Sequence, residues 1–300
     1  MQMSYHNPVL LNECIQGLNI KENGVYVDVT FGGGGHSKEI LNQLGPDGKL
    51  FGFDQDKDAQ QNSINDDRFV LIPENFRYIS RFLRFHQVKK VDGILADLGV
   101  SSFQFDSPER GFSTRFDAEL DMRMNQSDQL SAKDILNTYP EEQLANLFYA
   151  YGELRSSRGI ASAIVNARKN QLIHSSFELT GVLQKFLPAK RKNKILAQIF
   201  QALRIEVNQE MEVLKEFLNQ IPDLLNPEGR LCVISYHSLE DRLVKRFIRT
   251  GLFEGEPERD MYGNFSVPLK KVGGLITSSA DEIKENNRAR SAKLRIAIPS

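Results

Sequence analysis

Cysteine is scarce in this chain of 300 residues: Cys14 and Cys232 are its only two, far apart, without CxxC spacing and each within an apolar stretch. That pattern excludes a disulfide scaffold and a thiolate-rich metal site, and it predicts buried free thiols. The five histidines show no metal-ligand spacing either, so no metal is expected. Long apolar runs are also missing. Stretches such as Leu231 to Ile234 fall far short of the ~18 residues that a membrane helix requires, so no bilayer crossing is expected. The first ten residues lack the basic segment and following apolar stretch of a secretory signal, which makes the cytoplasm the expected compartment. Nor is there an excess of either charge: 38 Lys and Arg stand against 39 Asp and Glu. Affinity for nucleic acid must therefore come from local basic patches rather than from a global field.

What is present is ordinary globular usage, 40% hydrophobic and 26% charged, which argues against disorder. The length suits one large domain or two modest ones at roughly 100 to 200 residues each. Val25 to Thr30 is a short apolar, β-branched run, Phe31 to Gly35 is a glycine cluster, and His36 to Leu44 reads as helix. After the turn Gly45-Pro46-Asp47-Gly48, Lys49 to Asp54 reads as a second strand ending in a carboxylate. Asp56 to Ile64 reads as helix, Arg68 to Ile72 as strand and Phe76 to His86 as helix. Val91 to Asp97 is an apolar strand that closes on another carboxylate. Such alternation predicts an α/β fold, a Rossmann-like parallel sheet with helices on both faces.

Beyond Asp97 the pattern changes. Leu98 to Asn125 carries Gly, Ser, Pro and Asp with scattered aromatics and reads as a long structured loop. Ser131 to about Leu203 is almost entirely helical in pattern, with Pro140, Gly152 and Pro188 as punctuation, and predicts an inserted all-helical subdomain. Glu206 to Leu225 resumes as one amphipathic helix, with Val207, Met211, Leu214, Phe217, Leu218 and Ile221 at spacings of three or four. Pro227-Glu228-Gly229 then turns into a strand over Arg230 to Tyr236. Ser238 to Thr250 reads as a helix capped by Ser238, and Lys293 to Ile298 as a closing strand. The expected organisation is a discontinuous domain over residues 1–105 and 206–300, interrupted over 106–205 by the loop and the helical subdomain.

The strongest local signal is Asp28-Val29-Thr30-Phe31-Gly32-Gly33-Gly34-Gly35-His36, between a strand and its helix. Consecutive glycines let a ligand approach the backbone, and in open parallel sheets ligands collect at the carboxyl ends of strands. Asp54 ends the next strand about twenty residues later, where a carboxylate can accept both ribose hydroxyls of an adenosine. That spacing suits nicotinamide cofactors and S-adenosylmethionine alike. His36 and Ser37 stand where a dinucleotide loop would place a small residue against the helix, which favours a loop that binds a methionine carboxylate. Asp97, in Asp97-Leu98-Gly99-Val100-Ser101-Ser102, reaches the same sheet edge and can hydrogen-bond the cofactor amine or the amine of a target. Tyr236 and His237, in Ile234 to Arg242, can stack on and contact an extruded base; equally, Tyr236 can be core. Basic clusters at Lys190-Arg191-Lys192 with Lys194, at Arg242, Lys245, Arg246 and Arg249, and at Arg288, Arg290, Lys293 and Arg295 are phosphate-contact candidates or solvated helix faces.

Taken together, several segments resemble one family, the methyltransferases that modify N4 of a cytidine in the decoding region of bacterial 16S ribosomal RNA. They are His6 to Glu13, the glycine loop through Ser37, Asp97 to Ser102, Glu109-Arg110-Gly111-Phe112-Ser113, Leu120 to Met124, Phe200 to Ile205, Ser235 to Arg242 and Asn287 to Ser291. The resemblance implies an S-adenosylmethionine-dependent methyltransferase sheet interrupted by a helical insertion, with 16S rRNA or the small ribosomal subunit as partner and a homodimer as one oligomeric option. By motif it assigns cofactor contacts to Gly34, Gly35, His36, Asp54, Phe76, Asp97 and Gln104. Phe103 stands before Gln104 where proline is expected in many relatives. The Pro-Pro-aromatic step of DNA amino-methyltransferases is missing, so the catalytic role given to Asp97 rests on this sequence alone. Two other readings stay open at this point: a nicotinamide-dependent oxidoreductase, and an RNA-binding or ribosome-assembly module without turnover.

Overall fold

Apolar runs that close on a carboxylate become the centre of one sheet. β1 (Val25–Asp28), β2 (Lys49–Phe53), β3 (Phe69–Ile72), β4 (Val91–Asp97) and β5 (Leu225–Ser235) lie parallel to one another. β6 (Leu269–Thr277) and β7 (Lys293–Pro299) complete the order β3-β2-β1-β4-β5-β7-β6, with β7 antiparallel to both β5 and β6. The sheet is thus mixed rather than wholly parallel. The computed structural model describes residues 8–300. The His6-Asn7 start of the first family block and the reading of residues 1–7 as free of a signal lie outside the described residues. Among the described residues no helix is long and apolar enough to cross a membrane.

Contacts divide the chain into two units, Met1–Gly99 with Met211–Ser300, and Val100–Glu210. The first unit opens with α1 (Leu11–Leu18), α2 (Gly35–Gln43), α3 (Lys57–Gln60) and α4 (Ile79–Phe85). The second holds α5 (Ser102–Asp106), α6 (Ala132–Thr138), α7 (Glu141–Ala150), α8 (Ser157–Arg168), α9 (Ser176–Val182) and α10 (Lys192–Asn208). α11 (Glu210–Leu224), α12 (Ser238–Thr250) and α13 (Ala280–Glu285) return the chain to the sheet.

Side chains alternate along a strand, so the sheet feeds two cores. Val27, Phe53, Ile94, Ala96 and Val233 pack with Leu214 and Phe217 of α11 and Val244 and Phe247 of α12. Tyr26, Leu50, Leu95, Cys232 and Ile234 pack with Cys14 and Leu18 of α1 and Ile40 and Leu41 of α2. Both faces being covered explains why the inner strands are mostly apolar. Cys14 and Cys232 are buried free thiols, as their scarcity and setting predicted.

Three local differences from the sequence reading have physical causes. The helix expected over Glu206 to Leu225 is two helices: Gln209 sits at φ 51 and its N–H bonds to Glu206 O, ending α10 before α11 begins. The turn Pro227-Glu228-Gly229 does not precede β5 but bulges out of it. Leu225 pairs with Val91 and Arg230 with Gly93, leaving residues 226–229 without partners in the register. The cap of α12 is His237, not Ser238: its ring nitrogen accepts from the Glu240 N–H, while the Glu240 carboxylate accepts from the His237 N–H. Elements the sequence reading passed over are α1, β6, α13 and the short α5 inside the expected loop.

The second unit has its own core, with Ile135, Leu144, Phe148, Ile160, Leu179, Ile199 and Leu203 all buried. Asn208, the last residue of α10, pins the chain at 122–124 to that core. Its amide donates to Met122 O at 2.8 Å and accepts from the Met124 N–H at 2.7 Å. Replacing it orphans a buried acceptor and a part-buried donor. Asn208→Ala is expected to lower stability by roughly 1–3 kcal/mol in denaturant titration; an unchanged midpoint would contradict this account of the α10 terminus.

Candidate functional site

The strand order reverses beside β1: the chain builds outward to β2 and β3, then returns to β4 on the opposite side. At such a switch point the connections leaving adjacent strands diverge and open a crevice at their carboxyl ends. Three carboxylates gather at this edge, since Asp28 ends β1, Asp97 ends β4 and Asp54 directly follows β2.

The glycine loop is fixed on both sides. The Gly34 N–H bonds to Phe31 O at 2.7 Å, and Gly34 sits at φ 73, a conformation that other residues adopt only under strain. A Cβ at residue 35 would run into the ring of Pro8, whereas one at residue 33 would meet nothing within 4 Å. The crest of the loop therefore faces open space. The Gly32 N–H donates to Asp54 Oδ2 at 2.8 Å and Gly32 O accepts from the Asn62 amide at 3.1 Å. Asp54 Oδ1 accepts from the Asp56 N–H at 2.9 Å. Each carboxylate oxygen has two lone pairs, so Asp54 latches the loop while keeping capacity for two further donors.

Asp97 is the hub of the second cluster. Its N–H donates to Thr30 Oγ1 at 2.7 Å, Oδ1 accepts from the Tyr236 hydroxyl at 2.7 Å, and Oδ2 lies 3.9 Å from His36 Nδ1. His36 Nε2 meets Val9 O at 3.1 Å, and because a carbonyl only accepts, Nε2 carries a proton. Asp28 is buried beneath, accepting from Ser37 Oγ at 2.7 Å and the Thr30 N–H at 3.1 Å. Burial pushes both Asp54 and Asp97 up to about 6; backbone N–H groups oppose the shift at Asp54, and the His36 ring and Tyr236 hydroxyl oppose it at Asp97. Burial raises Asp28 too. Carboxyls shifted in this way at a sheet crevice mark a candidate site.

The structure thus brings His36, Asp97 and Tyr236 together, and joins Asp54 to the loop of Gly32 to Gly35. His237 caps α12 directly beyond Tyr236. Phe76 lies in a short turn after β3, its ring edge-on to Phe217 with centroids 5.2 Å apart. Gln104 belongs to the second unit, where its side-chain oxygen accepts from the Ser101 N–H in a capping box. Sequence reasoning named four supporting residues within its motifs but gave them no role in the site: Asp28, Thr30, Ser37 and Glu240. Asp28 was legible, being a strand-end carboxylate like the other two. Ser37 and Thr30 carry no signal of their own, and Glu240 is visible only through the three-residue spacing of a capping box that opens at His237. Of the basic clusters, Lys190, Arg191, Lys192 and Lys194 are exposed. Lys293 and Arg295 are instead engaged by Asp241 of α12, at 3.1 and 2.8 Å.

Residues 3–299 match the model of the MraW methylase family. The chain is 66% identical over 295 residues to a protein of Christiangramia forsetii named ribosomal RNA small subunit methyltransferase H, covering 98% of each. A protein of the same name in Flavobacterium johnsoniae is also 66% identical, with 98% of each chain covered. One from Bacteroides thetaiotaomicron is 56% identical over 99% of this chain and 98% of its own.

The raised carboxyls have a consequence for stability. With a folded value of about 6 against 3.8 for a free Asp, ionising Asp97 favours unfolding. The cost begins as pH rises past the unfolded value and is complete above the folded one. Asp97→Asn removes the charge while keeping an oxygen for the Tyr236 hydroxyl. The thermal midpoint of the cofactor-free variant is expected to exceed that of the parent at pH 8, with the gap closing as pH falls through 6 towards 4. A gap independent of pH would refute the burial of this charge.

Proposed function

This chain belongs to the MraW methylase family, and from that premise we propose that it transfers the methyl group of S-adenosylmethionine to the N4 amine of a cytidine in the decoding region of 16S ribosomal RNA. At the coarser level it is an S-adenosylmethionine-dependent methyltransferase of small-subunit ribosomal RNA. The observation that carries the finer reading is Asp97, a desolvated carboxyl at the switch point, next to a glycine loop that leaves space above Gly33 and a second carboxylate suited to ribose hydroxyls.

The residues present fit the cofactor. Asp54 has lone pairs left for two hydroxyls, and the loop through Gly34, Gly35 and His36 offers backbone at the start of α2, where a carboxylate is favoured. Phe76 and Gln104 are further proposed contacts. When bound, S-adenosylmethionine supplies a methyl group on a positively charged sulfur. The work left to the protein is to present the acceptor. An exocyclic cytosine amine is a weak nucleophile because its lone pair is delocalised into the ring. Asp97 accepts hydrogen bonds from that amine, enriching the nitrogen and aligning it, and its raised basicity equips it to take the proton that leaves. Tyr236 and His237, at the adjoining corner, are placed on the acceptor side, which requires a base drawn out of its stack. The exposed cations Lys190 to Lys194 of the helical unit are proposed phosphate contacts that act on folded RNA.

The direct test incubates the protein with labelled S-adenosylmethionine and either undermodified small subunits or their extracted RNA, followed by nucleoside mass spectrometry. N4-methylcytidine at a decoding-region position is expected; labelling of another base or position, or none despite cofactor binding, would overturn the proposal. In calorimetry, Asp54→Ala is expected to weaken S-adenosylmethionine binding about tenfold or more, since a hydrogen bond to a charged group contributes roughly 1.5–3 kcal/mol. Unchanged affinity would remove Asp54 from the cofactor site.

A further inference from the structure

We propose that Tyr236 is a positioning residue for methyl transfer: its hydroxyl, set in place by buried Glu240, orients the Asp97 carboxylate. The inference rests on the assignment of Asp97 to the acceptor amine and specifies what holds that carboxylate ready.

The corner between β5 and α12 is built around Glu240, which is 2% exposed. Its Oε2 accepts from the Tyr236 N–H at 2.8 Å and the His237 N–H at 3.3 Å, and its Oε1 lies 3.1 Å from His237 Nε2. A buried carboxylate bonded to two successive backbone N–H groups leaves the Tyr236 backbone little freedom. From that corner the ring packs with the core that contains α1 and α2, and its edge would lie 3.6 Å from a Cβ at residue 99. The hydroxyl ends 2.7 Å from Asp97 Oδ1. A base-stacking platform needs an accessible ring face and no particular group at its tip. Here the ring is half-buried against that core, and the tip is committed to the one carboxylate assigned to the reaction, a contact that stacking would not use.

The groups facing Asp97 show why one hydroxyl matters. His36 of α2 and Tyr236 favour its charged form, whereas burial, Asp28 of β1 and Glu240 of α12 oppose it. Cys14 of α1 lies close enough to feel its charge. Without the hydroxyl, His36 is left as the single favourable group among these, and its Nδ1 stands at 3.9 Å, beyond hydrogen-bond reach. The carboxyl would then hold its proton to higher pH and lose a fixed orientation.

Tyr236→Phe separates the two roles because it keeps the ring. With small subunits as substrate, kcat is expected to fall roughly ten- to a hundredfold, the effect of losing one hydrogen bond to a charged group. KM and the dissociation constant for S-adenosylmethionine should change less than about twofold, and the acid limb of the kcat–pH profile should move upward by about one unit. Wild-type kcat with an unmoved acid limb in Tyr236→Phe, but a loss in Tyr236→Leu, would overturn the proposal in favour of a stacking role. A second readout needs no RNA: the titration midpoint of the Asp97 carboxyl, followed by carbon-13 resonance in the cofactor-free protein, should rise in Tyr236→Phe, and an unmoved midpoint would overturn the coupling. If the midpoint moves while the wild-type protein methylates no RNA, the coupling stands and the reading of the acceptor falls.

Discussion

Asp28 is the contact on which the rest of the site depends. A carboxyl at the end of β1, buried among apolar strands, would be costly if its oxygens went unmatched. It meets Ser37 Oγ from the first turn of α2 and the Thr30 N–H from the loop between them. Those two bonds fold the glycine loop back over the strand end. Thr30, so held, receives the Asp97 N–H on its hydroxyl and thereby ties the end of β4 to the end of β1. The glycine loop and the carboxyl proposed to act in the reaction are thus set by one chain of hydrogen bonds through a shared residue. Preorganisation of this kind keeps polar groups from reorganising during the reaction.

The same edge carries a deliberate electrostatic load. Three carboxyls lie at neighbouring strand ends, each raised by burial, and none of them has Arg or Lys among the hydrogen-bonding partners described above. An apolar substitution would remove the desolvation cost, so stability alone does not account for the arrangement. It suits a ligand that brings positive charge and hydroxyl donors, as S-adenosylmethionine does. It also suits an acceptor whose N–H bonds need a basic oxygen outside bulk water. By contrast, Asp241 has both cations it needs in Lys293 and Arg295 and works as a rivet between α12 and β7.

Much of the fold could be read from the residues because burial on both faces writes an inner parallel strand as a mostly apolar run. Val91 to Asp97 is a clear case: apart from Asp92 near its start it is apolar up to its closing carboxylate, and β4 matches the expected bounds residue for residue. β6 escaped notice because an edge strand need not be apolar: Lys270 and Lys271 are exposed and Gly273 breaks its register. α1 starts without a side-chain cap, so only the spacing of Cys14, Ile15 and Leu18 announces it. The break at Gln209 is invisible because Gln is not a residue that flags a left-handed backbone. Within the site, strand-end position made Asp54 and Asp97 stand out, whereas the Tyr236–Asp97 bond joins residues 139 apart and appears only once β4 and β5 are neighbours. The capping role of His237 was hidden by Ser238, the residue type more often found at that position.

The central claim is that these desolvated carboxyls are where the cofactor binds and the acceptor is activated. It is tested most directly by calorimetric titration of S-adenosylmethionine into the protein at pH 6, repeated in buffers that differ in ionisation enthalpy. Near that pH Asp54 and Asp97 are partly protonated, and a cationic ligand with hydroxyl donors favours their charged forms. The account predicts proton release on binding, seen as heats that vary with the buffer and cease to vary by about pH 8. Heats independent of buffer at pH 6, with binding intact, would contradict it, because the cofactor would then bind without engaging either carboxyl.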